Sequence, residues 1–377
     1  MRPLLSIAIA TKDREKYCVK SIQSILSLNS NKIEITISDN SATPQVKNFI
    51  EELKSTNVKY RYDSGPVSSI ENFNRAIELT TGKYIILIGD DDTILPKAIE
   101  IAEWADNNDI DSVCSKEAVT YYWPGALEQY PTGALIIPPF GNNIKEISLK
   151  KNLISLLHNG LQHYLLYPLP KTYHGIVKKD ILEKIKKLTG HYYGGLSPDI
   201  YSSVAVSCIA KNHFQLEEPI SVAGVCPTST TAENFTGKHS GTLENIPHLR
   251  HREGYVFDKR IPKYYSVNTI WAESGLKALE ELKEFELLKE FNIFYLLAQG
   301  RINNRKFISD LIEEETQKTL SENNISQNKY KIENAKSIFK IYTKKALNIL
   351  NTKMSSRKDK TILSIENIQK VLEIYNS

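Results

Sequence analysis

Two periodicities alternate along the first hundred residues. The stretches "LLSIAIA" (residues 4–10), "IEITIS" (33–38), "VKYRY" (58–62) and "YIILIG" (84–89) are short and rich in β-branched or aromatic side chains, as strands are. Between them apolar positions recur every three or four residues, at Val19, Ile22, Ile25 and Leu26 and again at Ile70, Phe73 and Ile77, which predicts helices with one buried face. Ser68 and Glu71 have the spacing of a capping box, and Gly82 stands where that helix should end. Strand and helix alternating through short connections predict an α/β fold, with a mostly parallel sheet covered on both faces.

The pattern then loosens. Between residues 111 and 226, strand candidates ("DSVCS", "ALIIP", "HGIVK", "FQLEE", "ISVAGVC") interleave with helices near 148–158, 179–188 and 198–211. Residues 227–265 are polar, with Gly, Pro, Ser and Thr, and read as a loop or lid. From residue 266 to 377 the periodicity is helical almost throughout.

Composition narrows the class. A chain of 377 residues with 41% hydrophobic and 24% charged positions is a globular protein with room for two domains. Its four cysteines form no CxxC pair, which argues against a zinc knuckle or a disulfide framework and for a reducing compartment. The N-terminal apolar run is short and ends in charges, so it reads as a first strand and not a signal peptide. No run reaches the ~18 apolar residues of a membrane span. The expected location is the cytoplasm, with peripheral contact at the inner face of the plasma membrane as an extension of that reading.

One stretch carries candidate chemistry. In "YIILIGDDDTILP" a hydrophobic strand runs into Asp90, Asp91 and Asp92, followed by Pro96, which is suited to opening a helix. Adjacent carboxylates repel, and a fold keeps them together only where solvent or a cation relieves the repulsion. In α/β sheets the ligand crevice lies beyond the carboxyl ends of the strands, which is where this trio falls. Mg2+ or Mn2+ takes one or two carboxylates and fills its shell with water and phosphate oxygens, so a metal-phosphate site is expected in place of a bare acidic loop.

The order of motifs extends that expectation. "SIAIATKDRE", "IEITISDNSA" and "NFNRAIELTTGKYIILIGDDDTILP" together resemble the nucleotide-sugar-binding half of family 2 glycosyltransferases with the GT-A fold, over about the first 110 residues. The resemblance implies a GT-A domain over 1–226, with the nucleotide-sugar half in 1–110 and the acceptor half in 111–226. It implies Thr11, Asp13 and Arg14 lining the nucleotide pocket, Asp39 on base or ribose, Asp90 on ribose or metal, Asp91 as principal metal ligand and Asp92 supporting it. His239, in the polar loop, would complete the metal shell. Two positions depart from the family pattern: Gly89 stands where the first acid of its Asp-x-Asp falls, and Ser38 replaces the first acid of the second strand's pair.

A glycosyl transfer also needs a carboxylate to take the acceptor's proton. In "GGLSPDIYSS" a Gly-Gly turn leads through Pro198 into Asp199, in the first turn of a helix, where the helix dipole alone would also favour an acid. Family members carry their base acid at such a place, so Asp199 is the expected base, with Glu217 and Glu218 in reserve. His174, in "YHGIVKK", would contact acceptor or donor. The implied reaction joins a nucleotide diphosphate sugar, a UDP-sugar first, to a glycan or lipid-linked acceptor in surface polysaccharide synthesis, with inversion. The alternative is a non-catalytic module that binds nucleotide sugars or glycans. GxxxxGK[ST], GxGxxG and GxSxG motifs are all missing.

The net charge of +4 is unevenly spread. Residues 328–360 hold about ten Lys or Arg against Glu333 and Asp359. Within them Ala335, Ile338, Phe339, Tyr342, Ala346, Ile349 and Leu350 recur at helical spacing. That stripe is expected to dock on the enzyme, or else to lie on an anionic membrane surface. No nucleic-acid motif accompanies the charge.

Overall fold

The computed structural model describes residues 2–229, 240–244, 246–354 and 358–375. Its first half follows the alternation in the sequence: β1 (Leu5–Thr11), α1 (Glu15–Leu26), β2 (Ile33–Asp39), α2 (Gln45–Leu53), β3 (Val58–Tyr62), α3 (Ser69–Glu78), β4 (Tyr84–Ile88), β5 (Thr93–Ile94) and α4 (Lys97–Asn107). There follow β6 (Ser112–Ser115), β7 (Val119–Tyr122), β8 (Ala134–Ile137), β9 (Ile144–Glu146), α5 (Leu149–Leu157), β10 (Gly175–Lys178), α6 (Lys179–Thr189), α7 (Pro198–Ile209), β11 (His213–Leu216) and β12 (Ser221–Val225). The C-terminal part contains α8 (Val267–Glu281), α9 (Phe285–Lys289), α10 (Ile293–Glu322), α11 (Gln327–Met354), β13 (Lys360–Leu363) and α12 (Gln369–Tyr375).

Among the described residues two sheets form. The larger runs β3-β2-β1-β4-β10-β6-β11-β9, and the smaller runs β13-β8-β7-β12-β5. Strands β1 to β4 pair in parallel, while β10 enters antiparallel between β4 and β6. Strands β1, β2 and β4 are almost wholly buried, as strands covered on both faces must be. One core packs against β1 and β2 through Ile22, Ile25, Ile35, Ile37, Ala98 and Ile101; the other joins Ile77, Leu87, Leu156, Val204, Leu276 and Leu296. The second core draws α8 and α10 into the same apolar body as the sheet.

Ser68 caps α3 by accepting from the Glu71 N–H at 3.2 Å. Gly82 is not that helix's terminal cap: Leu79 is, in right-handed conformation, and Gly82 lies against β1, its N–H donating to Ser6 Oγ at 2.8 Å. The C-terminal segment, helical by its periodicity, also contributes a strand. β13 pairs antiparallel with β8, and Ile365, Ile368, Val371 and Leu372 seal the smaller sheet against Tyr121 and Trp123.

The basic helix α11 docks, but not by the expected stripe. It folds back on α10 through a short turn, burying Tyr330 against Ile293, Leu297 and Leu320, and Ile341 against Tyr295 and Ala298. Ile338 is half-buried in that contact, whereas Ala335, Phe339, Tyr342, Ala346 and Ile349 are exposed; Leu350 lies outside the described side chains. Ser337 is small enough to lie between Tyr330 and Ile341 on the buried side, which hides that side from a reading by hydrophobicity.

The link between the sheets is the tight segment Gly89–Asp92, which leaves β4 of the larger sheet and enters β5 of the smaller. Strand β12 passes directly beneath it. A Cβ on Gly224 would stand 1.8 Å from the Asp91 carbonyl oxygen, and Trp123 Nε1 donates to that oxygen at 3.0 Å. Gly224→Ala should therefore lower stability by about 1–3 kcal/mol, as overpacking does, by pushing the link off β12. Urea denaturation followed through tryptophan fluorescence checks this, and an unchanged midpoint would show that the link does not rest there.

Candidate functional site

The trio is not solvated: Asp90, Asp91 and Asp92 are each at most 4% exposed. Three buried carboxylates side by side survive because each has its own partners. Asp92 accepts from the N–H groups of Gly89 and Gly224, both at 2.6 Å, and from the Tyr173 hydroxyl at 3.1 Å, and it lies 3.1 Å from His174 Nε2. Burial would raise its pKa, but the charge and hydrogen bond of His174, with the two N–H donors, hold its carboxyl below the usual range. Both Asp92 oxygens are thereby taken.

Asp90 and Asp91 face one cation. The Arg14 guanidinium stands between them, with Nη1 2.9 Å from Asp90 Oδ1 and Nη2 2.7 Å from Asp91 Oδ2. Thr11 Oγ1 donates to the other Asp90 oxygen at 2.7 Å, and the Cys226 N–H donates to Asp91 Oδ2 at 3.1 Å. Burial pushes both carboxyls up, Asp91 further helped by the Asp92 charge, while Arg14 offsets part of the rise. Burial also disfavours the charged guanidinium, yet the two aspartates hold its pKa above the ordinary arginine value. Arg14 thus bridges the pair and offsets part of its charge.

This donor set suits a divalent ion in part. Asp90 Oδ1 is buried and accepts no aligned hydrogen bond, its contact with Arg14 being ionic only. An orphaned carboxylate oxygen beside a second carboxylate is the kind of ligand Mg2+ or Mn2+ takes, one or two per ion. Among the described residues no group of three or more His, Cys, Asp or Glu side chains converges on one point; of the three aspartates, Asp92 has both oxygens engaged within the protein, and Asp90 and Asp91 face Arg14. His239 lies outside the described residues.

The remaining expected residues divide. Asp39 is buried, accepting from the Ser41 N–H at 2.8 Å and the Tyr60 hydroxyl at 2.6 Å. Asp13 is exposed at φ 53°, its carboxylate accepting from the Ala42 N–H at 2.7 Å and its own N–H donating to Ser41 Oγ at 2.9 Å. It ties the turn after β1 to the end of β2. Ser38, in place of an acid, donates to Asn72 Oδ1 at 2.7 Å, and Asn72 Nδ2 donates to the Thr11 carbonyl at 3.0 Å. At Gly89 a Cβ would lie 2.6 Å from the Tyr173 hydroxyl, so the tyrosine that supports Asp92 leaves no space for an acid there.

Residues 172–174 are pinned to β4, with Leu87 N–H donating to Thr172 O at 2.8 Å and His174 N–H to Leu87 O at 3.0 Å. His174 takes a left-handed φ of 60°, and its Nδ1 meets Ser221 Oγ at 3.0 Å, so both ring nitrogens are engaged within the protein. Tyr173 and His174 both contact Asp92, and both interact electrostatically with Asp199. The charges of Asp92, Asp199 and Asp91 all bear on the Tyr173 hydroxyl, which burial already raises well above the usual tyrosine range. At Asp199, burial pushes the carboxyl up to about 6 against the opposing effects of the His174 charge and a Tyr164 hydrogen bond.

Asp199 is set by α8. Ser274 Oγ accepts from the N–H groups of Leu196 and Ser197, at 3.0 and 2.9 Å, just before α7 begins. Gly195, at φ 59°, presses on the Ser274 backbone. The reserves are engaged elsewhere, Glu218 with Lys97 at 3.0 Å and Glu217 with Asn143 at 3.2 Å. Sequence reasoning missed Cys226, Trp123, Tyr164 and Gly224; of these only Gly224, a glycine inside a strand pattern, carried a signal of close approach.

Residues 6–151 match the family model described as glycosyl transferase family 2. The chain is 24% identical over 198 residues to a Campylobacter jejuni protein named GalNAc(5)-diNAcBac-PP-undecaprenol beta-1,3-glucosyltransferase, covering 51% of this chain and 57% of that protein. It is 26% identical over 151 residues to Escherichia coli chondroitin synthase, covering 37% of this chain and 22% of that protein. It therefore spans little more than half the length of the first and a smaller part of the second. Among solved structures, S. aureus TarS 1-349 in complex with UDP-GlcNAc superposes with a TM-score of 0.50 at 15% identity, over 85% of this chain and 79% of that one, a likeness of fold. Residues 6–151 thus resemble glycosyl transferase family 2, and the chain as a whole has a GT-A-like fold.

Proposed function

We propose that this protein transfers a sugar from a nucleotide diphosphate donor to a hydroxyl of a glycan or lipid-linked acceptor, with inversion, in bacterial surface polysaccharide synthesis at the cytoplasmic side of the membrane. One observation carries the reading: an acidic pair bridged by Arg14 and a half-buried base candidate, Asp199, both bear on the same Tyr173–His174 pair. A UDP-sugar is the first donor to test, in line with the complex that TarS forms with UDP-GlcNAc.

The residues divide the work. Asp39, at the end of β2, is the hydrogen-bonding group for base or ribose, beside Thr11, its partner on β1, and Asp90, which Thr11 hydrogen-bonds. Asp90 and Asp91 would hold Mn2+ or Mg2+, which when bound would offset the charge gathering on the departing diphosphate. Arg14, released from the pair, would carry its charge to the phosphates. Asp92 and His174 keep the acidic link in position. Asp199 takes the proton of the acceptor hydroxyl as that oxygen bonds to the anomeric carbon; the bond from that carbon to the diphosphate oxygen breaks, and its electron pair leaves with the nucleotide. A non-catalytic sugar-binding module is the second reading, and saturable donor binding without turnover would favour it.

Asp199→Asn should lower turnover by about a hundred- to ten-thousand-fold while donor affinity is kept. Near-normal turnover would remove Asp199 from the role. In the intact enzyme the base must be ionised, so with its carboxyl at about 6, kcat/KM should fall as pH drops through that value and hold above it. A profile flat to about pH 4.5, well below that carboxyl, would contradict the assignment.

The cation reading has a test apart from activity. Arg14→Met leaves Asp90 and Asp91 without their counter-ion, so Mn2+ should raise the variant's thermal midpoint more than the wild type's. Equal shifts, or none, would speak against a metal held by these two carboxylates.

A further inference from the structure

Helix α11 has two unlike sides. Tyr330, Ser337 and Ile341 are buried on α10, and Lys340 and Lys344 lie over the Tyr295 ring at 5.6 and 5.8 Å to its centroid. On the opposite side Ile332, Ala335, Phe339, Tyr342, Ala346 and Ile349 fall within an arc of about 100°, at 100° per residue. All six are exposed, Phe339 at 75% and Ile332, Tyr342 and Ile349 at 56–57%. The stripe runs for about 26 Å along the helix. Apolar surface of this length left open on a stable helix marks a contact.

The flanks say with what. Exposed Lys331 and Lys345 border the stripe on one side, and exposed Lys329 and Lys336 on the other. The Lys345 ammonium rests 5.8 Å from the centre of the Tyr342 ring, and Lys336 reaches Glu333 at 2.7 Å. A second copy of the chain, laid stripe to stripe, would set lysine against lysine with Glu333 as the acid to answer them. An anionic surface answers all of them at once. An apolar stripe with lysines along both edges is the arrangement of a helix lying in the plane of a bilayer, rings and aliphatic groups among the acyl chains and ammonium groups at the headgroups. Among the described residues no helix is long and apolar enough to cross a membrane, so the contact is with the surface.

We propose that the outward face of α11, from Ile332 to Ile349, lies on an anionic lipid bilayer and holds the protein there. This does not depend on the donor or on the reaction. The lysines supply attraction at range, and Phe339 and Tyr342, the most prominent rings, supply the part that salt does not screen.

The test is co-sedimentation of the full chain with vesicles of phosphatidylcholine mixed with phosphatidylglycerol, and with vesicles of phosphatidylcholine alone. The protein should pellet with the mixed vesicles and stay in the supernatant with the neutral ones. Phe339→Ser combined with Tyr342→Ser should weaken partition about tenfold or more, and Lys331→Gln combined with Lys345→Gln about thirtyfold. Because these side chains are exposed, both variants should keep the wild-type thermal midpoint, which separates lost binding from lost folding. Recovery of the wild type in the supernatant with both vesicles overturns the proposal. So does equal pelleting by all three proteins, or self-association in sedimentation velocity that the Phe339 and Tyr342 changes abolish, since the stripe would then join copies of the chain.

Discussion

The Arg14 guanidinium between Asp90 and Asp91 is the interaction on which the site rests. Two carboxylates forced into a dry turn next to a third would otherwise have to take up protons or move apart. Arg14 comes from the turn after β1, and the aspartates from the end of β4, the neighbouring strand. The parallel pairing of those two strands therefore sets the charge balance. His174 and two backbone N–H groups settle the third carboxylate separately, so the trio is two electrostatic units sharing one short link. That division also explains Gly89: the Tyr173 hydroxyl that braces Asp92 occupies the space an acid at position 89 would need.

Such a balance favours exchange of one cation for another. A buried pair that lost this counter-ion would cost about 3–5 kcal/mol, so the guanidinium can leave only as another positive charge arrives. Under the proposed reading, coupling of that kind would tie donor entry to movement of Arg14, whose Nη2 also contacts Cys226 Sγ at 2.8 Å and whose Nε is buried without a hydrogen bond.

Much of this was legible in the sequence where the signal is local. Strands β1 to β4 announce themselves by composition and spacing, and three consecutive aspartates after a hydrophobic run stand out at the end of one of them. What each aspartate does was not legible. Cys226, Trp123 and Gly224 come from more than thirty positions away, brought under the link by the pairing of β12 with β5 and β7, and no periodicity in one segment reports on a partner in another. The same limit applies to α11. Spacing located an apolar stripe, but the docked side is built on Tyr330, Ser337 and Ile341, one of them polar, and only the shape of α10 selects it.

The C-terminal helices also hold the candidate site in place. Asp199 points where it does because α7 starts where it does, and α7 starts where Ser274 of α8 collects the N–H groups of Leu196 and Ser197. Arg252 adds a hydrogen bond to the Gly195 carbonyl, and His191, Tyr201 and Glu281 link the same turn to the end of α8. The base candidate is thus fixed from the C-terminal side of the chain and the acidic pair from the N-terminal side. Their separation is a property of how α8 packs on α7, where Leu276 and Leu279 share one apolar core with Val204 and Ala205.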